Sequence, residues 1–212
     1  MHRPHGASVR SAGRDRLRRL APVEVAVVVP VKSFGFAKGR LADSLSPDER
    51  RDLSRTCAEA VVTAASPWLV YVVCSDSETA QWAHSLGARV VLCEQPGLDT
   101  AAAAGRAAVR ADGLDHVVIA HADLPLARTF AAVPRAGRVS VVPDRHRDGT
   151  NVLSMPADSV MTTAYGPGSF ANHLELARAK GLEIDVIEDP DLALDLDTVE
   201  DLAELFRRRH TP

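Results

Sequence analysis

At 212 residues, with 46% hydrophobic and 25% charged side chains, the chain has room for one sizeable α/β core and the composition of a soluble globular protein. A net charge of −3 argues against a broad polyanion-binding surface, and so against nucleic acid as a partner, while leaving local basic clusters available for a small phosphorylated ligand. No run approaches the roughly 18 apolar residues of a membrane span, which excludes a membrane-crossing role for any single helix.

The first 22 residues carry six arginines and lack the apolar centre of a secretory signal, so they read as a solvated, disordered basic tail. A single folded domain is expected over residues 23–209. It opens with "VEVAVVVPV", a fully buried strand. The next helix, "SPDERRDLSRTCAEAVVTAA", has Ser46 as N-cap, Pro47 at its first position and Glu49 closing a capping box. "WLVYVVCS" is a strand, "DSETAQWAHSLG" a short helix ending at Gly87, "ARVVLC" a strand, "DTAAAAGRAAVRADG" a helix and "HVVIA" a strand. Strands "RVSVVP" and "NVLSMP", helix "SFANHLELARAKG", strand "LEIDVIE" and helix "TVEDLAELFRRR" complete the chain. Buried strands alternating with helices predict a mostly parallel sheet covered on both faces, with ligands bound beyond the carboxyl ends of its strands. Cys57, Cys74 and Cys93 form no C-x-x-C pair and read as small buried hydrophobes of a cytoplasmic protein.

Four stretches carry chemistry. The loop "PVKSFGFAKGRL" has neither G-x-G-x-x-G nor the P-loop order, which disfavours a dehydrogenase. It offers Lys32, Lys38 and Arg40 on a glycine-containing loop, able to neutralise a triphosphate or simply to be solvated. In "IAHADLPLA", Asp123 ends a buried strand just before Pro125, as a metal ligand or as a turn residue. In "DLALDLDTVEDL", period-two alternation sends Leu192, Leu194 and Leu196 to one face and Asp195 and Asp197 to the other. Two adjacent carboxylates suit magnesium or manganese, although Asp197 is also a good N-cap for the last helix. In "DGTNVLS" and "YGPGSFANH", Thr150, Gly166 and Ser169 form an anion site at a helix start or a plain loop-to-helix junction. His173 reads as a surface residue and His121 as a partly buried strand histidine.

The ordered set "VPVKSFGFAKGRLADSLSPDER", "ADLPL", "PDRHRDGTNVL", "YGPGSFANH" and "LDLDTVEDL" resembles the 2-phospho-L-lactate guanylyltransferase family, from about Val25 to Leu205. The resemblance implies a three-layer nucleotidyltransferase fold of the glycosyltransferase-A kind, with a mixed, mostly parallel sheet. It implies GMP transfer from GTP to a phosphorylated three-carbon acid, with release of pyrophosphate, in coenzyme F-420 biosynthesis. Asp123, Asp195 and Asp197 would hold magnesium, or manganese. Lys32, Lys38 and Arg40 would bind the GTP phosphates, with Lys38 and Arg40 joining Asp123 in catalysis, and Thr150, Gly166 and Ser169 the acceptor's phosphate. Asp99 replaces an amide usual in the family and would touch the nucleotide, which opens the base preference to question. The Ala- and Arg-rich composition is similar to that of the actinobacterial members, which act on phosphoenolpyruvate. The alternatives are 2-phospho-L-lactate, 3-phosphoglycerate, a sugar-phosphate or molybdopterin acceptor, or a non-catalytic nucleotide-binding regulator. A monomer or homodimer is expected.

Overall fold

The computed structural model describes residues 23–210 other than Ala37, and of Phe36 only the backbone. The expected basic tail of residues 1–22 lies outside the described residues. Seven strands form one sheet in the order β3-β2-β1-β4-β6-β5-β7. They are β1 (Val25–Pro30), β2 (Leu69–Cys74), β3 (Arg89–Leu92), β4 (His116–Ala120), β5 (Val139–Pro143), β6 (Thr150–Pro156) and β7 (Ile184–Val186). The helices are α1 (Pro47–Ala64), α2 (Ser77–Ser85), α3 (Leu98–Ala111), α4 (Ser169–Ala179) and α5 (Val199–His210).

The valine-rich β1 sits at the centre because both its faces are apolar. Val27 and Val29 pack on one side with residues of α1 and α2, and Ala26 and Val28 on the other with residues of α3 and α4. Every start signal expected for α1 is present: Ser46 Oγ accepts the Glu49 amide, the Glu49 carboxylate accepts the Ser46 amide, and Pro47 stands first. Gly87 takes the left-handed conformation expected of the residue that closes α2, at φ 78°.

One strand runs backwards. β6 is antiparallel to both β4 and β5, whereas β1 is parallel to β2 and β4 and β5 is parallel to β7. The reversal positions the site. It brings the first residues of β6 to the edge where the parallel strands end, so that the His121 amide donates to the Asn151 carbonyl (2.9 Å). Among the described residues no helix is long and apolar enough to cross a membrane.

Candidate active site

A cleft of about 930 Å³ opens beyond the carboxyl ends of β1, β2 and β4. Its walls include Lys32, Lys38 and Arg40 from the loop after β1, His121 and Asp123 after β4, and Asp195 and Asp197 from the segment before α5. The three aspartates predicted to act together thus share one cavity with the three predicted cations. One backbone hydrogen bond joins the acidic segments: the Leu196 amide donates to the Asp123 carbonyl (3.1 Å), setting Asp195 and Asp197 on either side of that contact in sequence. Leu192, Leu194 and Leu196 are all buried, as the alternation predicted. The chain turns through residues 190–193, however, so Leu192 packs with the main core and Leu194 and Leu196 with Cys57 and Leu205.

Asp197 is not the N-cap of α5. That role belongs to Thr198, whose Oγ1 accepts the Asp201 amide (3.3 Å), while the Asp201 carboxylate accepts the Thr198 amide (2.8 Å). Asp201 also accepts the Asp197 amide and the Arg145 guanidinium. The backbone around Asp197 is therefore fixed by another carboxylate, and its own carboxylate faces the cleft. The T-x-x-D pattern of 198–201 was the signal for this arrangement.

Lys38 takes a left-handed backbone conformation, φ 58°, uncommon for a residue with a side chain. Its side chain is only 6% exposed, and the ammonium donates to Asp123 Oδ2 (2.6 Å) and Asp197 Oδ1 (3.3 Å). Burial alone would lower the Lys38 pKa, but the two carboxylates outweigh it and hold it above the ordinary lysine value. Burial likewise opposes the charge on Asp123, and Lys38 and His121 overcome it and hold its pKa below the ordinary value. Arg40 lies 3.8 Å from Asp197 and is 76% exposed.

Asp195 is different. Burial, and then the charge of Asp123, push its carboxyl up to about 6. Asn151, a buried residue that the sequence reading passed over, donates to Asp195 Oδ1 (3.4 Å) and to the Leu192 carbonyl (3.0 Å). Among the described residues no three acidic or imidazole side chains are already gathered as a metal cage. Lys38 stands between two of the aspartates, and no cation pairs with the third among those residues. The chemistry of the group still fits a hard divalent ion: the donors are all carboxylate oxygens, and Asp195 is destabilised as an anion by the neighbours that would share the ligation.

Thr150, Gly166 and Ser169 are not among the walls of this cleft. Thr150 and Ser169 are buried together at the start of β6 and α4, where Ser169 Oγ accepts the Thr150 amide (3.0 Å). Asp99, expected at the nucleotide, accepts the Tyr165 amide (3.0 Å) and ties the loop before α4 to the first turn of α3. An aromatic row links the two regions, with His121 and Tyr165 ring centroids 5.5 Å apart and Tyr165 and His173 5.0 Å apart. His121 Nε2 and Tyr165 Oη are buried without a hydrogen-bond partner among the described residues. His173, expected at the surface, is fully buried. Cys57 and Cys74 are buried as expected, whereas Cys93 is only half-buried and lies on the cleft wall.

Residues 25–210 match the family described as "Guanylyl transferase CofC like". The chain belongs to that family. It is similar to the phosphoenolpyruvate guanylyltransferase of Sphaerobacter thermophilus, 37% identical over 84% of this chain and 90% of that one. It is also similar to the 2-phospho-L-lactate guanylyltransferase of Methanothermobacter thermautotrophicus, 33% identical over 87% of this chain and 85% of that one. A solved nucleotidyl transferase from Methanothermobacter shares the fold, with a TM-score of 0.60 at 18% identity over 88% of this chain and 99% of that one. A 4-diphosphocytidyl-2C-methyl-D-erythritol synthase shares it with a TM-score of 0.57 at 13% identity, over 87% of this chain and 97% of that one. The expected nucleotidyltransferase fold and the guanylyltransferase family are thus both found.

Proposed function

We propose that the protein transfers GMP from GTP to phosphoenolpyruvate or 2-phospho-L-lactate and releases pyrophosphate, a step of coenzyme F-420 biosynthesis. The observation that carries this reading is the meeting of Asp123, Asp195 and Asp197 with Lys32, Lys38 and Arg40 in one cleft. The cleft is large enough for a nucleotide and a small acid together. The named relatives support both acceptors, and the fold neighbours support nucleotidyl transfer in general.

The acceptor's phosphate has a second pKa of about 6 and is a ready nucleophile at neutral pH, so no side-chain base is needed. What opposes reaction is the approach of two polyanions. A divalent cation, magnesium or manganese, held by Asp123, Asp195 and Asp197 would supply the charge that offsets this repulsion at the GTP α-phosphate. Lys32 and Arg40 receive the donor's phosphates, Arg40 through its planar fork. Lys38 keeps Asp123 ionised and completes the positive lining of the pocket. The family resemblance assigns the acceptor's phosphate to Thr150, Ser169 and Gly166, of which Thr150 and Ser169 are buried behind the cleft wall rather than on it. The three thiols are free, as in a reducing compartment, and we place the reaction in the cytoplasm.

The test offers GTP with phosphoenolpyruvate, 2-phospho-L-lactate and 3-phosphoglycerate in turn and follows pyrophosphate. Release is expected with one of the first two acids. Release with 3-phosphoglycerate alone, or with none of the three, would overturn the assignment.

A further inference from the structure

The cleft has a fourth carboxylate, Glu94, which stands apart from the three aspartates. Glu94 lies two residues past the end of β3, and Asp123 three residues past the end of β4. Strands β2 and β1 lie between these two in the sheet, and three strand spacings separate their ends by about 14 Å. The Glu94 side chain is exposed on the cleft wall, and its carboxylate makes no hydrogen bond or ion pair with any described residue. A carboxylate only accepts, and it would repel a phosphate. What meets it at the far end of this cleft must therefore offer hydrogen-bond donors.

We infer that Glu94 reads the nucleobase of the donor, accepting from the N1–H and the 2-amino group of guanine, and so sets the preference for GTP. The inference rests on the proposed function for GTP as the donor. With its triphosphate received by Lys32, Lys38 and Arg40, GTP has its phosphates at the β1 and β4 end of the cleft. Its base, the part farthest from the reacting phosphorus, then reaches toward β3, and its ribose crosses the end of β2 at Cys74 and Ser75. The pairing edge of guanine carries two adjacent donors, which match the two oxygens of one carboxylate. Adenine, cytosine and uracil each present a single donor there, beside acceptors that would face the second oxygen. The same wall supplies the rest of a base site. Pro96, Leu98 and Ala101 offer apolar surface to a planar ring. Gly97, at φ 113°, leads into α3 with no side-chain cap, so the first amides of that helix are left to donate to an outside acceptor such as the guanine O6.

The test compares the full-length parent with Glu94→Ala and Glu94→Gln, with phosphoenolpyruvate or 2-phospho-L-lactate as acceptor and magnesium present. Pyrophosphate release is followed from GTP, from ITP, which lacks the 2-amino group, and from 2′-deoxy-GTP. One hydrogen bond to a charged group predicts that the parent uses GTP about tenfold better than ITP in kcat/KM. In Glu94→Ala that ratio should fall to within about twofold of one, chiefly through a raised GTP KM, with the acceptor KM within about twofold of the parent's. Glu94→Gln should lose most of the same preference. The ratio of GTP to 2′-deoxy-GTP should be the same in all three proteins. Equal use of GTP and ITP by the parent would overturn the inference whatever the variants do, and so would an unchanged ratio in folded Glu94→Ala. A collapse of the ratio to 2′-deoxy-GTP instead would move Glu94 to the ribose and also overturn it. In each of these cases the parent still consumes GTP and the proposed function stands. No release from GTP by the parent would sink both together.

Discussion

Burial and the charges of Asp123 and Asp197 all oppose the ionised form of Asp195. Such a group is kept at a stability cost when function needs it. Asp195→Asn is therefore expected to raise the unfolding temperature in EDTA by a few degrees, on the order of 1–2 kcal/mol, while removing pyrophosphate release. A lower unfolding temperature in thermal melts would contradict this account of Asp195. Asp197 and Thr198 should separate in the opposite sense. Thr198→Ala removes the cap of α5 and is expected to cost about 1 kcal/mol, whereas Asp197→Ala should impair turnover with little loss of stability by urea unfolding. Much of this scale was legible in the sequence. The charged motifs named the cleft's acids and cations, because few residue types can do that work. His173 was misjudged as a surface group, although Ser169, His173 and Ala177 recur at a spacing of four and all are buried on one stripe of α4. The histidine's polarity hid a regular helical pattern.

At the scale of elements, the Ala-rich α3 lies close against the sheet, and Gly105 is where the approach is tightest. A Cβ there would stand 2.3 Å from Val28 Cγ1 and 2.9 Å from Val73 Cγ2. Gly105→Ala should therefore destabilise the fold by about 1–3 kcal/mol, despite alanine's better helix propensity. A melting temperature equal to or above the parent's would show that α3 has slack against the sheet. The elements themselves were readable, since caps, periodicity and glycine stops agree with one another along the chain. The antiparallel start of β6 was also written in the sequence, in a physical sense. Only residues 144–149 separate β5 from β6, too few for the crossover that parallel pairing requires. What the local pattern could not supply was the Asn151 contact with Asp195, because its partners lie on a distant segment.

The whole molecule is tied together by contacts that no local pattern encodes. The Leu196–Asp123 backbone bond and the Arg145–Asp201 ion pair bring the C-terminal segment to the edge of the sheet and complete the cleft. Acid sensitivity belongs to this scale. Burial pushes His116, which is bonded to Ser154, and His173 down to about 4 in the folded protein. In the unfolded chain both titrate near 6.5, so the unfolded state takes up protons first as pH falls. Their contribution is fully present above pH 6.5 and is lost between there and about pH 4, by up to about 3 kcal/mol each. Asp195, with its raised pKa, changes in the opposite direction between about pH 6 and its unfolded value, so the two histidines must be isolated by mutation. Urea unfolding at pH 7 and pH 5 should show a smaller loss for His116→Gln than for the parent. An equal loss would remove His116 from the account.

The proposed GMP transfer requires Asp123, Asp195 and Asp197 to hold a divalent ion together. Pyrophosphate release from GTP and phosphoenolpyruvate, followed with magnesium and again after EDTA, tests it most directly when Asp195→Asn is run beside the parent and shown by its melt to be folded. The account predicts turnover by the parent with magnesium, none after EDTA, and none by Asp195→Asn in either condition. Near-parental release by the folded Asp195→Asn protein, or undiminished release by the parent in EDTA, would contradict it.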